Sequence, residues 1–75
     1  MSQSVQDEML HVLSESAKED RWMKRSEIVR EVYGKGVPVN AYHRLLLERL
    51  VASGQVEKKK QRYMHSTWFV YQAVR

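Results

Sequence analysis

Residues 40–58 read NAYHRLLLERLVASGQVEK, and the pattern inside this stretch decides the fold. At 100° per residue, Leu46, Leu47 and Leu50 fall on one side with Val39, while Ala41, Tyr42, Arg44, Leu45 and Glu48 lie on the other side or along its edges. The spacing predicts a helix with one packed face and one free face. Asn40 is its natural N-cap, Val39 offers half of a hydrophobic staple, and Gly54 is the residue type that ends helices in the left-handed conformation. His43 falls near the leucine side and is expected as a packed or edge histidine.

Working toward the N-terminus, Gly34-Lys-Gly-Val-Pro38 places two glycines and a proline in five residues and requires a turn. Before it, Ile28, Val29, Val32 and Tyr33 form the apolar stripe of a short helix, with Ser26 expected as its N-cap and Glu27 in its first turn. Arg21, Trp22 and Met23 read as a short extended piece. A first helix is predicted from Val5, Met9, Val12, Leu13 and Ser16 on one face, flanked by Leu10 and Ala17, starting at Ser4 with Asp7 and Glu8 in its first turn and ending near Glu19. Toward the C-terminus, Gln55–Lys60 and Thr67–Tyr71 read as a hairpin, with Gln61–Ser66 as the turn-like segment. Val56 is expected to face inward, Trp68 and Val70 to share one strand face, and Phe69 and Tyr71 the other. Trp22 and Trp68 are expected to fill the interior, and Tyr63 to be exposed near the hairpin tip.

A chain of 75 residues holds one small domain, 1–75, of the α+β class. With 43% apolar and 29% charged residues it is neither disorder-like nor membrane-like. The absence of cysteine excludes disulfides, thiolate metal sites and thiol nucleophiles, and the opening MSQSVQDEML lacks the pattern of a signal peptide, so a cytoplasmic protein is expected. His11, His43 and His65 stand 32 and 22 residues apart, far from metal-ligand spacing, and no glycine-rich phosphate loop occurs. Ser66 beside His65 would point to the opposite strand face, which argues against a nucleophilic pair. No enzyme, cofactor, metal, membrane partner or small-molecule substrate is expected. The charge is polarised: residues 1–20 carry five acids and one base, net −4, whereas the remaining 55 carry twelve bases and four acids, net +8. That distribution suits a basic face turned to a polyanion.

The predicted order α, β, α, α, β, β is that of the winged helix, a helix-turn-helix variant with a three-helix core, a short strand between helices one and two, and a C-terminal β-hairpin wing. Leu50-Val-Ala-Ser-Gly54-Gln-Val56-Glu-Lys58 resembles the signature closing the recognition helix of bacterial winged-helix regulators. Residues Asn40 to Lys58, followed by Thr67-Trp68-Phe69, resemble the small pilus-operon regulators of the FaeA and PapI type, which bind DNA together with a larger architectural regulator. The Gly34–Pro38 turn is longer than that of a minimal helix-turn-helix.

The resemblance implies a small transcription regulator, bacterial or carried by a phage or plasmid, whose partner is double-stranded DNA. Helix three would lie in the major groove and present Asn40, Ala41, Tyr42, Arg44, Leu45 and Glu48. Arg44 suits a bidentate contact to guanine; an arginine often stands at this position in the resembled family. Ala41 and Leu45 suit a thymine methyl. Asn40 reads first as a cap and second as a contact to adenine or phosphate, and Tyr42 as core edge or backbone contact. Lys58, Lys59, Lys60 and Arg62 would neutralise phosphates from the wing tip, with a minor-groove role open to Arg62 and an edge-strand guarding role open to the lysines. Lys24 and Arg25 would reach the flanking backbone. A monomer this small reads few base pairs, so a homodimer, tandem sites or a larger protein partner is expected. Two competing readings stand beside this one. A protein-interaction module would use Leu45 and the acids Glu8, Glu15 and Glu19; a binder of RNA or single strands would stack bases on Trp22, Tyr63, Trp68, Phe69 and Tyr71.

Overall fold

The computed structural model describes residues 4–74; residues 1–3, part of the stretch read against a signal peptide, and Arg75 lie outside them. The elements run α1 (Val5–Ala17), β1 (Met23–Lys24), α2 (Arg25–Tyr33), α3 (Ala41–Ala52), β2 (Val56–Tyr63) and β3 (Ser66–Ala73), an α+β arrangement of three helices on one antiparallel sheet ordered β1-β3-β2. The predicted element order is the observed one.

Local chemistry accounts for the boundaries. Ser4 caps α1 by accepting the Asp7 N–H at 3.2 Å, and the helix buries Met9, Leu13 and Ala17, each four residues from the last. Past Ala17 the chain turns through Asp20, at φ 54°, where Asp20 N–H donates to Ala17 O at 2.9 Å and Arg21 N–H to Ser16 O at 3.0 Å. These are the two bonds of a Schellman motif, here without the usual glycine. The Asp20 carboxylate instead accepts from Gln72 Nε2 at 3.1 Å, tying the turn to β3. At the end of α3, Gly54 takes the same role at φ 82°, with Gly54 N–H on Val51 O and Gln55 N–H on Leu50 O.

The start of α2 differs from the expected one. Its N-cap is Lys24, and Ser26 lies inside the first turn. The Glu27 carboxylate accepts the Lys24 N–H at 2.9 Å and the Arg21 guanidinium at 3.2 Å, so the helix opens where Glu27 can reach back. At α3 the expected cap is found: Asn40 Oδ1 accepts the His43 N–H at 3.1 Å, and His43 Nδ1 accepts the Asn40 N–H at 3.3 Å. This reciprocal pair uses histidine where glutamate is commoner.

The hairpin is longer than the sequence implied. Pairing runs from Val56–Ala73 to Tyr63–Ser66, leaving only Met64 and His65 in the turn instead of Gln61–Ser66. Beyond the core both sheet faces meet water, so Gln61–Trp68 and Arg62–Thr67 pair as strand residues despite their polar, loop-like sequence. The four bases therefore lie along β2 and not at the tip.

One face of the sheet, through Met23, Val56, Tyr71 and Ala73, packs on Met9, Leu13, Ile28, Val29, Leu46, Leu47 and Leu50. Trp22 and Trp68 are not in this core. Strand alternation puts Trp68 with Val70 on the opposite face, where both tryptophans are half-buried. In place of helices, lysines cover them: Lys24 Nζ sits 4.7 Å from the Trp68 ring centroid and Lys59 Nζ 4.4 Å from that of Trp22.

Candidate nucleic-acid interface

The packing of α3 determines what it offers to solvent. His43, Leu46, Leu47 and Leu50 are buried, so Ala41, Arg44, Leu45 and Glu48 form the opposite face, bordered by Tyr42 and Arg49. Leu45 is 48% and Tyr42 54% exposed, although both are apolar enough to be buried if the fold allowed it. His43 lies between Tyr33 and Tyr42, with ring centroids 5.2 and 6.2 Å away. Its Nδ1 is used within the first turn of α3 and its ring is buried. Asn40 uses its side-chain oxygen in the cap, and its amide nitrogen has no hydrogen-bond partner among the described residues.

Arg44 opens into a groove of about 410 Å³ bounded by the start of α2, α3 and β3. Its lining includes Lys24, Arg25 and Arg44 with Val39, Trp68 and Phe69, and no acid. Among the described residues the Arg44 guanidinium takes part in no ion pair or side-chain hydrogen bond. The only acid on the exposed face of α3, Glu48, is held by Lys58 Nζ at 3.1 Å. That pair links β2 to the middle of α3 and reduces the field of the one carboxylate that would repel a polyanion there. It is partly exposed, so its contribution to stability is small.

The structure separates the hairpin bases that the sequence groups together. Lys58 pairs with Glu48 and lies 4.8 Å from the Phe69 centroid. Lys59 points to the outer sheet face over Trp22. Lys60 and Arg62, opposite Phe69 and Thr67, share the α3-facing side and are exposed with no ion pair among the described residues. Lys24 and Arg25 join the groove at the base of α2. Arg30, Lys35 and Arg49 are exposed as well, and no motif in the sequence marks them. Arg30 and Lys35 are brought together only by the Gly34–Val37 turn, where they line one shallow hollow. Burial pushes the Tyr71 phenol above its usual value, with Glu48 adding to the rise and Arg25 and Lys58 opposing it, so Tyr71 belongs to the core beneath the groove. Burial, Tyr42 and Glu8 raise Tyr33 in the same sense.

Among the described residues no three His, Asp or Glu side chains are grouped to hold a metal ion, and no helix is long and apolar enough to cross a membrane. Comparison of the chain with protein families, curated proteins and solved structures found no match.

Proposed function

We propose that this chain is a winged-helix regulator of transcription that binds double-stranded DNA, with α3 in the major groove and the β2–β3 hairpin as its wing. The observation that carries the reading is the free face of α3: Arg44, with no ion-pair partner among the described residues, beside Ala41 and Leu45, opening into a groove whose charged lining is entirely basic. Arginine matches the paired acceptors of guanine, and small or branched apolar side chains match a thymine methyl, so this face has the chemistry of direct readout. Lys24, Arg25, Lys60 and Arg62 serve the phosphates. Lys58 acts as a strut between wing and helix, and Lys59 covers Trp22 on the far face of the sheet.

Four phosphate contacts at about 0.9 counterion each give a slope of roughly −3.6 for log affinity against log salt. The test is a fluorescence anisotropy titration against a random-sequence duplex at low and near-physiological salt, with single-stranded RNA as competitor. Affinity that falls steeply with salt and withstands RNA supports the reading and justifies selecting an operator from a random pool. Binding indifferent to salt, or none at low salt, transfers the proposal to the protein-interaction reading.

A further inference from the structure

The wing tip carries a feature that phosphate contact does not use. Met64 is 78% exposed and its neighbour Tyr63 66%, the two most exposed large hydrophobic side chains among the described residues. Met64 is also one of only two described non-glycine residues at positive φ, 53°, in a two-residue turn. Glycine, asparagine or aspartate would occupy such a turn with less strain. Neither Tyr63 nor Met64 packs on the core, so the fold draws no hydrophobic stabilisation from them.

We infer that the wing tip is a minor-groove wedge, in which Met64, backed by Tyr63, inserts at a base step and bends the duplex. The inference rests on the DNA-binding reading and adds an activity to it. Reach supports it: the Glu48–Lys58 pair shows that β2 passes beside the middle of α3, and the five steps from Lys58 to Tyr63 advance about 16 Å at the usual strand rise. Half of a 34–36 Å helical turn is about 17 Å, so a wing that runs along the duplex axis from a helix in the major groove ends near the adjacent minor groove. Charge supports it as well. Lys60 and Arg62 stand behind the tip on the α3-facing side, placed for the phosphates that border a minor groove. Exposed apolar side chains on basic elements unstack such steps, most readily the flexible pyrimidine–purine ones.

The test uses the full chain and a duplex of about three helical turns, labelled at both ends for energy transfer, with a central TA step carrying 2-aminopurine. The wild type is expected to raise both end-to-end transfer and 2-aminopurine emission. Met64→Gly, which also relieves the turn, is expected to melt no lower, to keep affinity within several-fold and to lose most of both signals; Met64→Leu is expected to retain them. Tight binding by the wild type with no rise in transfer, or full bending by Met64→Gly, overturns the wedge and leaves the DNA-binding reading standing. Absence of any duplex binding at low salt overturns both. A wild type that fails to bend DNA but self-associates through a contact abolished by Met64→Gly assigns the tip to a second copy of the chain instead.

Discussion

Two grooves on this molecule are nearly equal in size and opposite in charge. The one between α1, α2 and β1 encloses about 390 Å³ and is lined by Glu15, Glu19 and Glu31 with His11 and Arg21; the one between α2, α3 and β3 encloses about 410 Å³ and is lined by Lys24, Arg25 and Arg44 without an acid. Shape alone does not distinguish them. The sign of the charge does. On the acidic side Glu15 is paired with Lys18 and Arg21 with Glu27, while Glu19 and Glu31 form no ion pair among the described residues. On the basic side, Arg44 forms no ion pair among the described residues, and the nearby acid Glu48 is held by Lys58. The fold thus sorts the polarised sequence into two faces, with α2 contributing to both.

The largest expected effect removes both grooves together. Leu47 is fully buried on α3, and Leu47→Ala should cost about 2–5 kcal/mol, read as a lowered urea midpoint with an unchanged slope. Next is Arg44→Ala, which should leave stability unchanged and weaken a selected operator by about 1–3 kcal/mol while relaxing preference at one base position. An equal loss on every sequence would demote Arg44 to a phosphate contact. Lys60→Ala with Arg62→Ala should weaken all sequences alike and reduce the salt slope by about 2. The smallest effect belongs to the acidic groove: Glu19→Gln with Glu31→Gln should change duplex affinity by no more than about twofold, in the tightening direction, because exposed charges more than a Debye length from the DNA are screened. A large loss from that pair would put the partner on the other groove.

What the sequence revealed follows from how local each signal is. The α3 face was legible because its period, its Asn40 cap and its Gly54 stop all lie within fifteen residues. The exposure of Leu45 and Tyr63 and the burial of His43 follow from the same local periodicity and from the hairpin position. Long-range choices were not legible. Gln72 to Asp20 spans 52 residues, and this bond lets α1 end on an aspartate where glycine is usual. Lys58 to Glu48 spans ten residues across a turn, and no local pattern in the sequence marks that pair. The tryptophans were misplaced because large aromatics suggest interior, whereas here the helices cover only one side of the sheet and lysine side chains cover the other. The Ser26 cap lost to Glu27, whose reach-back to Lys24 has no marker beyond the spacing itself. The turn is shorter than the polar run Gln61–Ser66 suggests, because that run holds no glycine or proline to mark the point of reversal.

The comparison between the two grooves is tested most directly by amide chemical-shift mapping of the isotope-labelled chain during titration with a random-sequence duplex at low salt. Shifts are expected at Arg25, Ala41, Arg44, Leu45, Lys60 and Arg62, with those at Glu15, Glu19 and Glu31 unchanged. Shifts centred on the acidic groove, or none on either face, would contradict it.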